Sequence, residues 1–327
     1  MSKIKYGQIG VGHAHANKIA VYRKSPDFEV VGVVEPDAEL RRRAESTAPY
    51  KGLPFLTEEQ LLNEPGMKVV GVETRVRDML DTAERCIKAG MHVHIDKPAG
   101  ESLPQFRRIL DAAASKHLLV QMGYMYRYSP AVMMLRDFLK KGWLGEPFEI
   151  HTVMSKVVDA PSRKRFDEYR GGIMFELGCH IIDLVHGVLG VPQQITPFRQ
   201  HASKIDDSLL DNMLAVFTYP RAIASVKSSA MEVEGFARRH FVVCGTEGTF
   251  HIQPLDAPSA RFALSKARGK YTAGYQQVDF GDYPRYEADA ADMAKIVRGE
   301  KDADFSYEHD YQVQKSVLLA SGLPIDA

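Results

Sequence analysis

Over roughly the first 120 residues, short apolar runs alternate with helical patterns, and that alternation predicts a parallel α/β sheet. The strand candidates are residues 5–9, 28–34, 68–72, 92–95 and 118–122. The intervening helices carry recognisable ends. Pro36 suits the first helical position ahead of 37–48, because its fixed φ is helical and its missing N–H would be unpaired there anyway. Thr57-x-x-Gln60 and Ser102-x-x-Gln105 have the form of capping boxes. Gly90 suits a left-handed stop after 83–89, and Ser129-Pro130 opens a helix that ends near Gly142. Beyond Gly145 the grammar changes to β-type stretches at 148–158, 210–219, 223–231, 240–245 and 249–253. Short turn signals such as Tyr219-Pro220-Arg221 and Gly245-Thr246-Glu247-Gly248 join several of them, which favours antiparallel neighbours. A helix over about 174–189 interrupts this region, and helical patterns at 286–298 and 307–320 close the chain. The boundary is placed near Gly123. The expected domains are therefore 1–123, an α/β doubly wound parallel sheet, and 124–327, an α+β unit with a mostly antiparallel open sheet.

Composition narrows the function classes. A chain of 327 residues suggests about two domains. Lys plus Arg and Asp plus Glu each number 42, and this neutral balance argues against a nucleic-acid partner, which needs a basic surface to displace phosphate counterions. No stretch approaches the ~18 uninterrupted apolar residues of a membrane span, and the first residues run straight into a strand pattern, so neither a membrane partner nor a secretory leader is expected. Cys86, Cys179 and Cys244 are odd in number and far apart, offering neither a disulfide framework nor a CxxC zinc site. The expectation is a reduced, cytoplasmic enzyme.

Ile9-Gly10-Val11-Gly12-His13-Ala14-His15 follows the first strand candidate and opens a helix, the context that a dinucleotide fingerprint requires. Glycines there permit a tight turn and a bare backbone beside a pyrophosphate. His15 stands where GxGxxG has its third glycine, so either the helix sits further out or His15 points toward the ligand. Glu35 closes the second strand candidate, where a carboxylate accepts ribose hydroxyls and repels a 2′-phosphate, favouring NAD over NADP. Gly10, Gly12, His13, His15, Glu35, Thr74 and Lys97 are the candidate cofactor-binding residues.

Ala89-Gly90-Met91-His92-Val93-His94-Ile95-Asp96-Lys97-Pro98 resembles the "AGKHV…EKP" segment of the Gfo/Idh/MocA family, relatives of glucose–fructose oxidoreductase and inositol dehydrogenase. The resemblance continues through 121–128, through Gly142-Trp143-Leu144-Gly145-Glu146, and into 171–183, which is similar to the family's "GGG…DxGxHxxD". It implies a Rossmann domain followed by an α/β domain with a largely antiparallel sheet. It also implies hydride transfer between a nicotinamide cofactor and a sugar or polyol, and oligomers, a homodimer or homotetramer, built on that sheet. The Lys of "EKP" matches Lys97; the carboxylate and His of "DxGxH" match Glu176 and His180. Three positions depart from the pattern. Glu176 replaces an Asp, His15 replaces the third glycine, and Thr74-Arg75-Val76-Arg77-Asp78-Met79 replaces "TPNxxH", with Arg75 and Met79 in place of Pro and His.

Spacing supports a site at the matched residues. On an ideal helix Glu176, His180, Asp183 and His186 fall within an arc of ~120°, opposite a face of Leu177, Ile181, Ile182, Leu184 and Val185. Alcohol oxidation needs a base for the hydroxyl proton, and imidazole suits that role near neutral pH, with a carboxylate to orient it. Lys97, just past a parallel strand's carboxyl end, lies where such sheets place ligand contacts, and its ammonium can polarise a hydroxyl. Lys97, His180 and Glu176 are the catalytic candidates, with Lys97 and His180 expected to converge on one cleft from different domains. Asp183 reads as a residue that orients another side chain. Tyr124, Tyr126 and Arg127 either border the substrate or form an aromatic packing run, while Arg163 and Arg165, in a short basic stretch, are candidates for an anionic sugar group. No metal is expected. The pairs His13/His15 and His92/His94 and the stripe 176–186 contain ligand-type residues, yet no second cluster completes a site and hydride transfer to NAD needs none. An NAD-dependent dehydrogenase or reductase acting on a carbohydrate-like CH–OH group is thus the leading expectation. Glycoside cleavage through transient sugar oxidation, and a non-catalytic NAD-binding sensor, are the alternatives.

Overall fold

The computed structural model describes residues 2–166 and 169–326. Its contacts divide the chain into two compact units, one running through Met125 and regaining Pro284–Tyr311, the other comprising Tyr126–Tyr283 and Gln312–Ile325. The expected second domain, 124–327, thus contains a segment that returns to the first unit.

The first unit holds five parallel strands: β1 (Ile4–Ile9), β2 (Phe28–Val34), β3 (Met67–Val72), β4 (His92–Ile95) and β5 (Val120–Met122), ordered β2-β1-β3-β4-β5. Near-continuous apolar burial in β1 and β3 is what a sheet covered on both faces demands. This is the doubly wound α/β fold, with ligand positions at the carboxyl ends of the strands. Local chemistry sets most helix ends as expected. Thr57 and Gln60 complete a reciprocal capping box, and Gly90 turns the chain at φ 82°. Two details differ. Asp37 caps the helix Ala38–Glu45 by accepting from the amides of Glu39 and Leu40, leaving Pro36 outside it. Ser102 accepts from Gln105 N at 3.4 Å, but the Gln105 side chain reaches Asp81 and Glu84 instead of closing the box.

The second unit is built on eight strands: β6 (Pro147–Val153), β7 (Gln194–Gln200), β8 (Asn212–Thr218), β9 (Ile223–Ser229), β10 (His240–Gly245), β11 (Gly248–Ile252), β12 (Ser259–Leu264) and β13 (Gly274–Asp279). Their order is β13-β12-β11-β10-β6-β9-β8-β7, antiparallel except for the β6–β9 pair. Three of these strands, β7, β12 and β13, escape the apolar pattern. Both sheet edges are among them, and β7 carries Pro197, a residue tolerated where no further ladder partner needs its N–H. In β8 the buried Met213, Ala215 and Phe217 alternate with half-buried residues. One face is therefore packed and the other open, and the open face exposes Phe198, Ile223 and Tyr275.

Candidate active site

In the first unit β1 runs into Gly10 at φ 91°, where a Cβ would lie 2.5 Å from Thr74 N, so only glycine fits this turn. A Cβ on Gly12 would come within 3.4 Å of Arg75 Cγ. The turn is pinned by Gly10 N donating to Val34 O at 2.8 Å and His13 N to Glu73 O at 3.0 Å. Glu35 ties it to β2: Oε2 accepts from Val11 N and Oε1 from Asp37 N, each at 2.9 Å. Together these groups edge a cavity of about 740 Å³ whose walls include Gly10, Gly12, Glu35, Thr74 and Arg75. Thr74 Oγ1 is buried with no hydrogen-bond partner in the described protein. A bare-backbone cradle, a carboxylate at the end of β2 and an unmatched hydroxyl fit a dinucleotide. The chain after the turn forms a 3₁₀ segment, Ala16–Lys18, before the helix Ile19–Lys24 begins, a delayed start consistent with a side chain at position 15.

His13 and His15 both turn toward β4. The Asp96 carboxylate lies 3.3 Å from His13 Nδ1 and 3.1 Å from His15 Nδ1. Lys18, a residue the sequence did not single out, is the centre of this cluster. Its Nζ sits 2.5 Å from Asp96 Oδ2, 2.8 Å from Glu73 Oε1 and 2.7 Å from His94 Nε2. The ammonium has no lone pair, so His94 accepts at Nε2 and its Nδ1–H faces Gln121 Oε1 at 3.0 Å. Gln121 in turn donates to Asp289 O on the returning segment. Lys97, almost fully buried, follows directly, its backbone N donating to Asp96 Oδ1 at 2.7 Å.

Burial opposes every charge here, and each pKa follows from whether a partner overcomes it. Burial alone would raise Asp96, but His13, Lys18 and His15 hold it well below the usual carboxylate range. Burial also works to lower Lys18 and His13, and the carboxylates reverse this, led by Asp96, so both are raised. His94, desolvated beside the Lys18 ammonium, falls to about 3 and is neutral. Glu73 is pushed up to about 7 by burial, with Lys18 resisting and Asp96 adding to the rise. Asp289 likewise rises to about 7, chiefly through burial.

Ligand-type atoms of His13, His15 and Asp96, and of Glu73, His94 and Asp96, lie within 4.8 Å of one another. The Lys18 ammonium already stands among them as the cation, ion-paired to both carboxylates. His92 is elsewhere engaged, accepting from Leu119 N. No such group among the described residues includes Glu176, His180, Asp183 or His186.

In the second unit Glu176 lies in a π-helical turn, Met174–Gly178, that leads into the α-helix Cys179–Leu189 carrying His180, Asp183 and His186. The ideal 100° spacing therefore breaks between Glu176 and His180, because a π turn holds more residues than an α turn. Residues Cys179 to His186 are all buried, the polar stripe as well as the apolar face. The polar members have partners. Asp183 receives a bidentate Arg127, with Nε at 3.0 Å from both oxygens and Nη2 at 2.5 Å from Oδ1. His186 Nε2 lies 2.8 Å from Ser316 Oγ. The Tyr126 ring meets His180 edge-on at 5.2 Å, and its hydroxyl donates to Asp256, which also accepts from Arg239.

Other sequence candidates fare differently. Arg163 is fully buried and its guanidinium is spent on Asp207, Asp211 and Ser203, a structural pairing in place of the expected contact to an anionic sugar. Arg165 is exposed and donates to Ser162 Oγ. Tyr124 is buried in the first unit.

Comparison with known proteins gives the architecture its place. Residues 4–124 match the description "Oxidoreductase family, NAD-binding Rossmann fold", and residues 132–251 match the "GFO/IDH/MocA C-terminal domain". The chain belongs to the GFO/IDH/MocA oxidoreductase family. It is 25% identical over 213 residues to trans-1,2-dihydrobenzene-1,2-diol dehydrogenase of Macaca fuscata fuscata, covering 63% of this chain and 63% of that relative. It is 24% identical to scyllo-inositol 2-dehydrogenase (NAD(+)) of Bacillus subtilis (strain 168), covering 75% of this chain and 71% of the relative. An oxidoreductase from Agrobacterium radiobacter, solved with NAD+, L-tartaric acid and magnesium, shares the fold at TM-score 0.82 and 14% identity, with 98% and 97% of the chains covered. Within this GFO/IDH/MocA chain, Met79 is fully buried in the helix Val76–Lys88, so the position where the family motif has His serves packing here, whereas Arg75 is exposed on the cavity wall. No helix among the described residues is long and apolar enough to cross a membrane.

Proposed function

We propose that this chain is an NAD-dependent dehydrogenase or reductase acting on a hydroxyl or carbonyl of a sugar, polyol or related diol. The observation that carries the reading is the cavity at the strand ends, where the glycine turn, Glu35 and the unpartnered Thr74 hydroxyl make a dinucleotide cradle. Residues 1–123 would bind the cofactor and 124–327 the substrate, inside the cytoplasm. Gly10, Gly12, His13, His15, Glu35, Thr74 and Lys97 would hold NAD, whose bound nicotinamide supplies the hydride acceptor. His180 takes the hydroxyl proton, Glu176 steadies the resulting imidazolium, and the Lys97 ammonium donates to the substrate oxygen as alkoxide character develops. Tyr124, Arg127, Arg165 and Asp183 are the substrate-side residues, with Arg127 and Asp183 acting as a neutral pair.

Glu35 and Asp37 bring two carboxylates to the cavity, which supports NAD over NADP. The open sheet face with Phe198, Ile223 and Tyr275 supports a homodimer or homotetramer through that sheet. The test is an NADH-absorbance screen over sugars, polyols, diols and their acids, beside a glycoside panel and a titration of both cofactors. Net NADH formation with a free hydroxyl substrate is expected. Glycoside cleavage with no net NADH overturns the dehydrogenase reading, and NAD binding without turnover on any substrate leaves a sensor in its place.

A further inference from the structure

Arg75 is the odd charge of the first unit. It occupies the N-cap of the helix Val76–Lys88 without a side-chain capping bond, and Arg77 follows in the first turn. Cations at that end face the positive pole of the helix dipole, an arrangement that costs helix stability. Asp78 in the first turn answers Arg77 beside it, but no carboxylate pairs with Arg75 among the described residues; its charge reaches Asp37 and helps hold that carboxyl below its usual range, after the Leu40 and Glu39 amides. Residues that break a local rule without a protein partner concentrate at functional or strained sites. The placement points to a ligand. Arg75 Cγ lies against Gly12, close enough that a Cβ there would touch it at 3.4 Å, and Arg75 lines the cavity with Gly10, Glu35 and Thr74. Next to it is the buried, unpartnered Thr74 Oγ1.

We infer that Arg75 binds a phosphate group of the dinucleotide, with Thr74 Oγ1 as a neighbouring donor. The inference rests on the dinucleotide reading of that cavity. A guanidinium can donate two parallel N–H bonds to a phosphate and carries a permanent charge, neither of which a proline at this position could offer. The phosphate comes from one of two places on the cofactor, the pyrophosphate common to NAD and NADP or the 2′-phosphate of NADP alone.

Calorimetric titration of ADP, NAD and NADP, with adenosine measured by competition, tests this on the wild type, Arg75→Gln and Arg75→Lys, each checked for cooperative unfolding at no lower temperature than wild type. Loss of a charge-assisted hydrogen bond predicts about 10- to 100-fold weaker ADP and NAD binding in Arg75→Gln, with adenosine unaffected. Arg75→Lys should recover part of that loss and regain salt sensitivity, because an ammonium keeps the charge without the fork. A loss confined to NADP also supports a phosphate contact and assigns it to the 2′ position. Wild-type affinity for all three phosphates in Arg75→Gln overturns the inference while leaving the dinucleotide reading intact. So does an equal loss for adenosine, which would make Arg75 a base-packing residue. A wild-type protein that binds none of ADP, NAD and NADP overturns both.

Discussion

The two candidate constellations differ in how they are built. In the first unit, Lys18, Glu73, His94 and Asp96 come from a 3₁₀ turn and from the ends of β3 and β4, and they meet only because the parallel order β1-β3-β4 sets those elements side by side. In the second unit, Glu176, His180, Asp183 and His186 share one short stretch of helix. The first is a closed arrangement in which an ammonium is enclosed by its counter-charges. The second is a row of polar groups along one element, in which Asp183 pairs with Arg127 and His186 meets Ser316. Breaking Lys18 should therefore cost chiefly stability, and breaking His180 chiefly turnover.

The largest effect should come from Lys18→Met. Removing one partner of a buried ion pair leaves uncompensated charge, at a typical cost of about 3–5 kcal/mol. Here Asp96 and Glu73 would be left facing His13 and one another without the ammonium between them. Urea denaturation should show the loss, and hydrogen exchange should localise it to β1, β3 and β4. A Lys18→Met protein as stable as wild type would mean that water enters the cluster and that it is not the sealed arrangement its burial indicates.

The second unit is tested by His180→Ala. Removing a positioned proton-transfer group costs about 10²–10⁴ in rate. The variant should fold normally, bind NAD nearly as well as wild type and lose turnover by that factor. Glu176→Gln should be milder, since it leaves the base in place. Steady-state kinetics on whichever substrate the NADH screen finds would decide, and near-native turnover by His180→Ala would end its role as base.

The contrast also explains which parts were legible in the sequence. Strands β2, β4 and β10 match their expected bounds residue for residue, β2 as a largely apolar run and β10 through its alternation of buried and half-buried residues. The glycine turn and Glu35 were legible because backbone geometry demands glycine at one position and the sheet ends at the other. The spacing of 176, 180, 183 and 186 was legible as a stripe, but the π turn and the burial of its polar side were not, since both depend on what packs around the helix. Lys18 was missed for the same reason. A lysine among Ala16, Asn17 and Ile19 looks like solvated surface until β3 and β4 bring Glu73 and Asp96 beside it. A usable signal was present in hindsight: neighbouring parallel strands that each run into a carboxylate at the ligand-binding end of the sheet. Strands β12 and β13 left no clear apolar trace, because β12 buries only alternate residues and the edge strand β13 buries none.

The smallest predicted effect separates the units by pH. Glu73 and Asp289, each raised to about 7, hold protons in the native state that the unfolded chain has already released. Stability they contribute is full below their ordinary carboxyl range and is lost as pH rises through about 7. His13, raised by Asp96 and Glu73 against its burial, acts with the same sign. In the second unit the shifted carboxylates run the other way. Asp207 is lowered, first by the Arg163 hydrogen bond, and Asp211 is lowered by the Ala202 amide, Ser203 and Arg163 against its own burial. Their contribution is present above the unfolded carboxyl value and fades only as pH falls below it, so it is flat between pH 5 and 7. His94, lowered to about 3 by burial and Lys18, opposes the first unit's loss up to the ordinary histidine value. Hydrogen exchange corrected for intrinsic rates should therefore show protection in β1, β3 and β4 falling across that window by a net amount on the order of 1–3 kcal/mol, while β8 and β9 change less. Glu73→Gln should flatten part of the slope, and adding Asp289→Asn should flatten more, since neither amide can titrate. A slope shared equally by both units, or one untouched by the two substitutions, would place the titrating groups elsewhere and remove the buried cluster as their source.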